Sequence, residues 1–260
     1  MRKIRVTRSV IPNLLTLMNL FCGFIALTRL SVNDFFGAAE FVAAAALFDV
    51  LDGAVARLTK STSDLGVELD SLCDAVSFGI VPSFMLYQLH FRYVPDWGTV
   101  ISALPALAGV YRLARFNVQL TGFEDKKYFR GMPIPAGALV IFSYALFYFQ
   151  HPLIPLSLQG TALAVVTIIT ALIMVSTIKY DALPTPTPHN IRQRPAMFAF
   201  GLFAFFATIF SKGVLLFPIM LGYILVGLIR LAIIAIQNRR TADDDEDDSI
   251  EEDEVTPFDL

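Results

Sequence analysis

The sequence predicts an all-α, polytopic integral membrane protein with about eight transmembrane helices. Three observations carry this expectation. Of 260 residues, 55% are hydrophobic and 17% charged, and the mean hydropathy is +0.62; soluble domains run about 45–50% apolar and about 25% charged. The apolar residues are gathered in runs of roughly 18–22, the length that crosses a hydrocarbon core about 30 Å thick. Lys and Arg are concentrated in alternate connecting segments, as the positive-inside rule requires. A soluble globular protein, a disordered chain and a nucleic-acid binder built on a basic surface are excluded.

The spans fall at about 10–29, 36–57, 69–90, 97–117, 134–150, 157–177, 196–211 and 213–236. The first follows Arg2, Lys3, Arg5 and Arg8. It is not a cleaved signal, because no small-residue cleavage site follows it. The second and third are apolar outward, through Phe41–Leu47 and Val81–Leu89, and acidic at their other ends. The fourth ends in Arg112 and Arg115. The seventh is short and pairs with the eighth through a turn at Ser211–Gly213. Between the sixth and seventh, Pro184, Pro186, Pro188 and Pro195 forbid a helix and predict an extended connector. With the N-terminus in the cytoplasm, 17 of the 20 Lys and Arg residues lie inside, and only Arg29, Arg92 and Lys212 outside. Both termini are therefore expected in the cytoplasm.

Charge also divides the chain into domains. Eleven of the 23 acidic residues fall from Asp243 onward, where no basic residue occurs. Residues 241–260 are expected to be an acidic, disordered cytoplasmic tail. Residues 1–240 are expected to form the membrane-embedded domain, with twelve acids against 20 Lys and Arg, a balance suited to the inner face of an anionic membrane. Cys22 and Cys73 lie in apolar runs and read as small buried hydrophobes. His90, His151 and His189 are scattered and read as ordinary loop or interface residues.

Acids inside spans are costly and usually functional. Six of the twelve in the body lie between positions 49 and 74, in the stretch FDVLDGAVARLTKSTSDLGVELDSLCDAVSFG. Asp49, Asp52 and Ala56 are spaced i, i+3, i+7, and Gly66, Asp70 and Asp74 are spaced i, i+4, i+8, so each set shares a helix face. A short turn between the two helices makes them antiparallel neighbours. Four carboxylates would then converge at one depth, where like charges repel unless cations neutralise them. Oxygen-only ligands favour hard divalent ions, and paired ions suit phosphoryl chemistry. Gly53, Ala56 and Gly66 leave the backbone open to a bulky ligand such as a nucleotide diphosphate, and Arg57 offers a fork for phosphate oxygens. Two other readings stand beside this one: helix packing through small residues with the acids facing a water cavity, and an ion or proton transporter. A transporter would carry polar residues on to the outer surface, which the second and third spans do not.

The stretch Asp49-x2-Asp52-Gly53-x2-Ala56-Arg57-x8-Gly66-x3-Asp70-x3-Asp74 resembles the signature of the CDP-alcohol phosphotransferases at every fixed position. The segments PNLLTLMNLFCG, YRLARFNV and FRGMPIPAGA resemble the membrane-embedded phosphatidylserine synthases of bacteria and archaea. The resemblance implies the CDP-alcohol phosphotransferase fold and two divalent cations, Mg or Mn. It implies transfer of a phosphatidyl group from CDP-diacylglycerol to L-serine at the cytoplasmic side of the inner membrane, by a homodimer that binds no nucleic acid. Asp49, Asp52, Asp70 and Asp74 would hold metal, with Asp74 also the base for the serine hydroxyl. Asn13, Thr16, Asp49, Gly53, Ala56, Arg57 and Gly66 would bind the CDP moiety. Arg112 and Arg115 would clamp the serine carboxylate, with Arg130 a further candidate. Choline, inositol or glycerol phosphate remain alternative acceptors.

Overall fold

The computed structural model describes residues 9–59, 61, 63–121, 128–152, 154–181, 195–229 and 231. Among them the chain forms α1 (Val10–Ser31), α2 (Phe35–Thr59), α3 (Asp64–Asp74), a π-helical turn (Ala75–Ile80) and α4 (Val81–Leu89). It continues through α5 (Gly98–Thr121), β1 (Tyr128–Arg130), α6 (Ile134–Phe147), α7 (Leu156–Val175), β2 (Lys179–Asp181) and α8 (Pro195–Phe210), and ends in α9 (Leu216–Ile229). The segments from α3 to α4 form one continuous rod, Asp64–Leu89. The helices coincide, within a few residues at most ends, with the apolar runs of the sequence.

Among the described residues, three rods are long and apolar enough to cross a membrane: Val10–Ser31, Asp64–Leu89 and Leu156–Val175. The helices α2 and α5, of 25 and 24 residues, are as long, but towards one end α2 carries Asp49, Asp52 and Arg57 and α5 carries Arg112 and Arg115. Large apolar side chains such as Phe24, Leu47, Leu107 and Phe203 are exposed, a surface that lipid, not water, would cover favourably.

Local chemistry sets the helix ends. Asn33 turns the chain in the left-handed region at φ 60°, and Asp34 Oδ1 then accepts from the Gly37 N–H at 2.9 Å to cap α2. Ser63 caps α3 in the same way, accepting from the Gly66 N–H at 3.1 Å. The π turn ends just before Pro82, where a proline without an N–H could not extend a regular ladder. Pro105 interrupts α5, and the neighbouring Ala106 N–H donates to Ser83 Oγ of α4 at 3.0 Å.

One feature departs from the all-α expectation. Tyr128–Arg130 and Lys179–Asp181 pair antiparallel, Phe129 opposite Tyr180. This short ladder ties the segment before α6 to the one after α7. Gly131 beside it has φ +83° and lies against the Met174 and Ser176 carbonyls, so a side chain there would be both strained and crowded. Of the proline-rich connector, its first residues up to Asp181 and its last, Pro195, are described; Pro195 does not forbid a helix but opens α8, where its missing N–H has no partner to lose; 182–194, which include His189, and the acidic tail lie outside the described residues.

The larger of two core clusters runs from Ala26 and Leu30 of α1 through Ala38, Val42 and Ala45 of α2 to Phe78, Met85, Ile134 and Met174; the smaller gathers Leu86, Phe91, Ile141, Tyr144, Phe149 and Leu163. The alanines let α1 and α2 lie together along most of their length. Cys22 and Cys73 are buried, as expected of small hydrophobes.

Candidate active site

α1 packs closely on both α2 and α3, whereas α2 and α3 make little direct backbone approach to each other. This differs from the close antiparallel pair expected from the short turn. The physical consequence is a gap that side chains must cross. Asp49 reaches in from α2, and Asp70 and Asp74 reach in from α3. One carboxylate oxygen from each lies within 4.8 Å of the others.

The fourth acid behaves differently. Asp52 is 5% exposed, and its Oδ2 accepts from the Thr16 hydroxyl at 2.5 Å. It lies three residues from Asp49, which on a helix is about 60° short of a full turn. That offset turns Asp52 towards α1. The expected four-carboxylate cluster is therefore three converging acids with Asp52 beside them, tied to the first helix.

α1 supplies a second donor one turn further on. Asn19 is fully buried, and its Nδ2 donates to Asp74 Oδ1 at 3.0 Å. Thr16 is itself 3% exposed and lies 3.1 Å from the Pro12 carbonyl. It is a buried support for Asp52 more than an open face for a nucleotide. Asn13 sits nearer the helix start, where its Oδ1 faces Gly66: a Cβ at Gly66 would come within 3.3 Å of it and 3.1 Å of Ser63 Oγ. Any larger residue at 66 would press on both.

On α2, Arg57 is exposed and folds back over Gly53, where an added Cβ would lie 3.4 Å from Nη1. Ala56 is half-buried between them. The two fixed small residues and the guanidinium thus form one open patch beside the acids.

The predicted serine clamp divides. Arg112 is 6% exposed and lies within electrostatic reach of Asp74, with its guanidinium 5.6 Å from the Phe116 ring centre. Arg115 donates instead to the Val175 carbonyl at 2.8 Å and the Ser176 carbonyl at 3.0 Å, capping the end of α7. Arg130 falls in β1, and its side chain lies outside those described.

Two contacts escaped the sequence reading. Asn19 is one; its signal was the polar stripe Asn13, Thr16, Asn19 at i, i+3, i+6 on an otherwise apolar helix. The other is Asn117 of α5, which donates through Nδ2 to Ser71 Oγ at 3.0 Å. It joins α5 to α3 beside Asp70. The two described histidines make ring contacts: the His90 ring rests on Phe91 and Phe149, and His151 stacks on Tyr148. A cavity of about 410 Å³ lies at the opposite end of the bundle, among Phe35, Met85, Leu89, Ala145 and Phe149, away from the acids.

The donor set suits a hard divalent cation. All three converging ligands are carboxylates, and Asp70 Oδ1 is buried with no hydrogen-bond partner. A buried anionic oxygen left bare is expensive unless a cation serves it.

The chain is similar to known proteins over most of its length. Residues 9–177 match the profile of the CDP-alcohol phosphatidyltransferase family. The CDP-diacylglycerol–serine O-phosphatidyltransferase of Helicobacter pylori is 31% identical over 87% of this chain and 92% of its own length. The enzyme of the same name from Methanocaldococcus jannaschii is 36% identical over 67% of this chain and 75% of its own. The archaetidylserine synthase of Methanothermobacter thermautotrophicus is 36% identical over 65% and 69%.

Proposed function

The chain belongs to the CDP-alcohol phosphatidyltransferase family, and from that premise we propose that it transfers a phosphatidyl group from CDP-diacylglycerol to the hydroxyl of L-serine, giving phosphatidylserine and CMP. The observation that carries this is the convergence of Asp49, Asp70 and Asp74 from two helices onto one point. The relatives at 31–36% identity that are named serine phosphatidyltransferases support the choice of acceptor.

Asp49, Asp70 and Asp74, with Asp52 alongside, would hold two divalent ions, Mg or Mn. Bound there, such ions supply positive charge to the pyrophosphate and to the CMP that departs. The remaining work falls to the chain. Arg57, Gly53, Ala56, Gly66 and Asn13 border the space for the CDP moiety. Arg112 holds the serine carboxylate close to Asp74. Asp74 takes the proton from the serine hydroxyl as its oxygen bonds to the phosphatidyl phosphorus, and the bond from that phosphorus to the CMP oxygen breaks. A carboxylate with an ordinary pKa near 4 is a weak base for an alcohol, so close positioning must contribute.

All eight rods are taken to cross the inner membrane, with both termini and the site at the cytoplasmic face and the chain acting as a homodimer. Lys and Arg placement supports the orientation. The lipid substrate then enters sideways from the inner leaflet.

The test is direct. The protein, purified in detergent, is given CDP-diacylglycerol and Mg²⁺ or Mn²⁺, and CMP release is measured with serine, choline, inositol, glycerol phosphate or no acceptor. Serine-dependent CMP release is expected. Release no greater with serine than with water overturns the choice of acceptor.

A further inference from the structure

We propose that Asn19 is a positioning residue for Asp74, fixing the carboxylate from the first helix. This rests on the proposed function, and the measurements below separate the two.

Three observations converge. Asn19 is fully buried in a helix whose interior positions are otherwise mostly apolar. Its Nδ2 donates to Asp74 Oδ1, while its own Oδ1 is buried without a hydrogen-bond partner. Packing alone would favour an apolar residue of similar size, because an unserved buried carbonyl is destabilising. The amide is therefore best explained by what its N–H does.

Backbone contacts hold the donor at the right height. The Asn19 carbonyl accepts from Ser77 Oγ at 3.2 Å, and Ser77 lies in the π turn that begins directly after Asp74. One turn along α1, Gly23 leaves room for that serine; a Cβ at Gly23 would collide with Ser77 Oγ. Asn19 is thus fastened on two sides of the point where the α-helical ladder widens. Wide turns of this kind re-aim side chains and recur at functional sites.

The chemistry of the donor matters too. An amide N–H anchors a carboxylate without bringing a positive charge. It restricts rotation of the Asp74 carboxyl group and leaves its charge for cations, whereas a lysine or arginine would compete with them. Asn19 acts through Asp74, the carboxylate that it holds.

The test is a double-mutant cycle on Mn²⁺ affinity, read by electron paramagnetic resonance of the free ion, with Asn19→Leu and Asn19→Ser made in the wild-type and Asp74→Asn chains. Thermal melting and monodispersity in detergent identify the variants that fold. In the wild-type background, Mn²⁺ affinity and kcat are each expected to fall about tenfold or more, the size seen for outer partners of metal ligands, with KM for CDP-diacylglycerol little changed. In the Asp74→Asn background the further loss of affinity should vanish. Wild-type affinity and kcat in a folded variant overturn the proposal, as does an equal loss in both backgrounds. Mn²⁺ binding that is tight in the wild type but yields no serine-dependent CMP would count against the proposed function and leave the role of Asn19 intact.

Discussion

The Thr16 hydroxyl donates to Asp52 Oδ2 at 2.5 Å, across a separation of 36 residues. This contact joins the first helix to the second beside the converging acids, where both partners are nearly inaccessible to solvent. Thr16→Val keeps the shape and removes the donor, leaving a buried carboxylate oxygen unserved. CMP release should fall about tenfold or more, the range found when outer partners of a metal site are lost. Steady-state kinetics on the folded variant check this.

The proposed function gives Asp74 two duties, ligand and base, and the two can be separated. Asp74→Asn preserves size and the neighbourhood of Asn19 and removes the proton acceptor. Turnover should be abolished, while a CDP-nucleotide, held mainly by the α2 patch, still binds. Calorimetric titration alongside the CMP assay measures both. Full turnover would remove Asp74 from the base role.

The two arginines of α5 should separate in phenotype. Arg112 is buried near Asp74, so Arg112→Lys, which loses the planar fork, should raise KM for serine with little loss of folding. Arg115 caps α7 through two carbonyls. Arg115→Ala should lower stability by about 1–3 kcal/mol, the range for lost hydrogen bonds to a charged group. Serine-concentration series and thermal melts distinguish the two outcomes.

Gly66 faces Asn13 Oδ1 and Ser63 Oγ at distances that leave no room for a branched side chain. Gly66→Val should weaken CDP-nucleotide binding and loosen the cap of α3. A titration compared with the melting temperature tests this, and Gly66→Ala should fall between the two.

Much of this was legible in the sequence, for identifiable reasons. The helices follow from apolar runs whose lengths are set by the bilayer. The convergence of Asp49, Asp70 and Asp74 follows from helical periodicity, since i+4 repeats keep one face. Periodicity says nothing of what lies opposite that face, so it placed Asp52 with its neighbours when a threonine on α1 draws it aside. It likewise treated Arg112 and Arg115 as a pair, because the carbonyls at the end of α7 that claim Arg115 lie sixty residues away. The β1–β2 ladder was invisible because three-residue strands carry too little pattern to register. Asn19 was missed for a different reason: a single amide on an apolar helix acquires meaning only when its partner, 55 residues on, is known.

Mn²⁺ titration of the wild type, Asp49→Asn and Asp70→Asn, with folding verified by melting, is the most direct measurement. Each substitution should weaken Mn²⁺ binding by at least about tenfold, since even outer-shell losses reach that size. Two folded variants that bind the ion as tightly as the wild type would show that these carboxylates meet for some purpose other than holding metal.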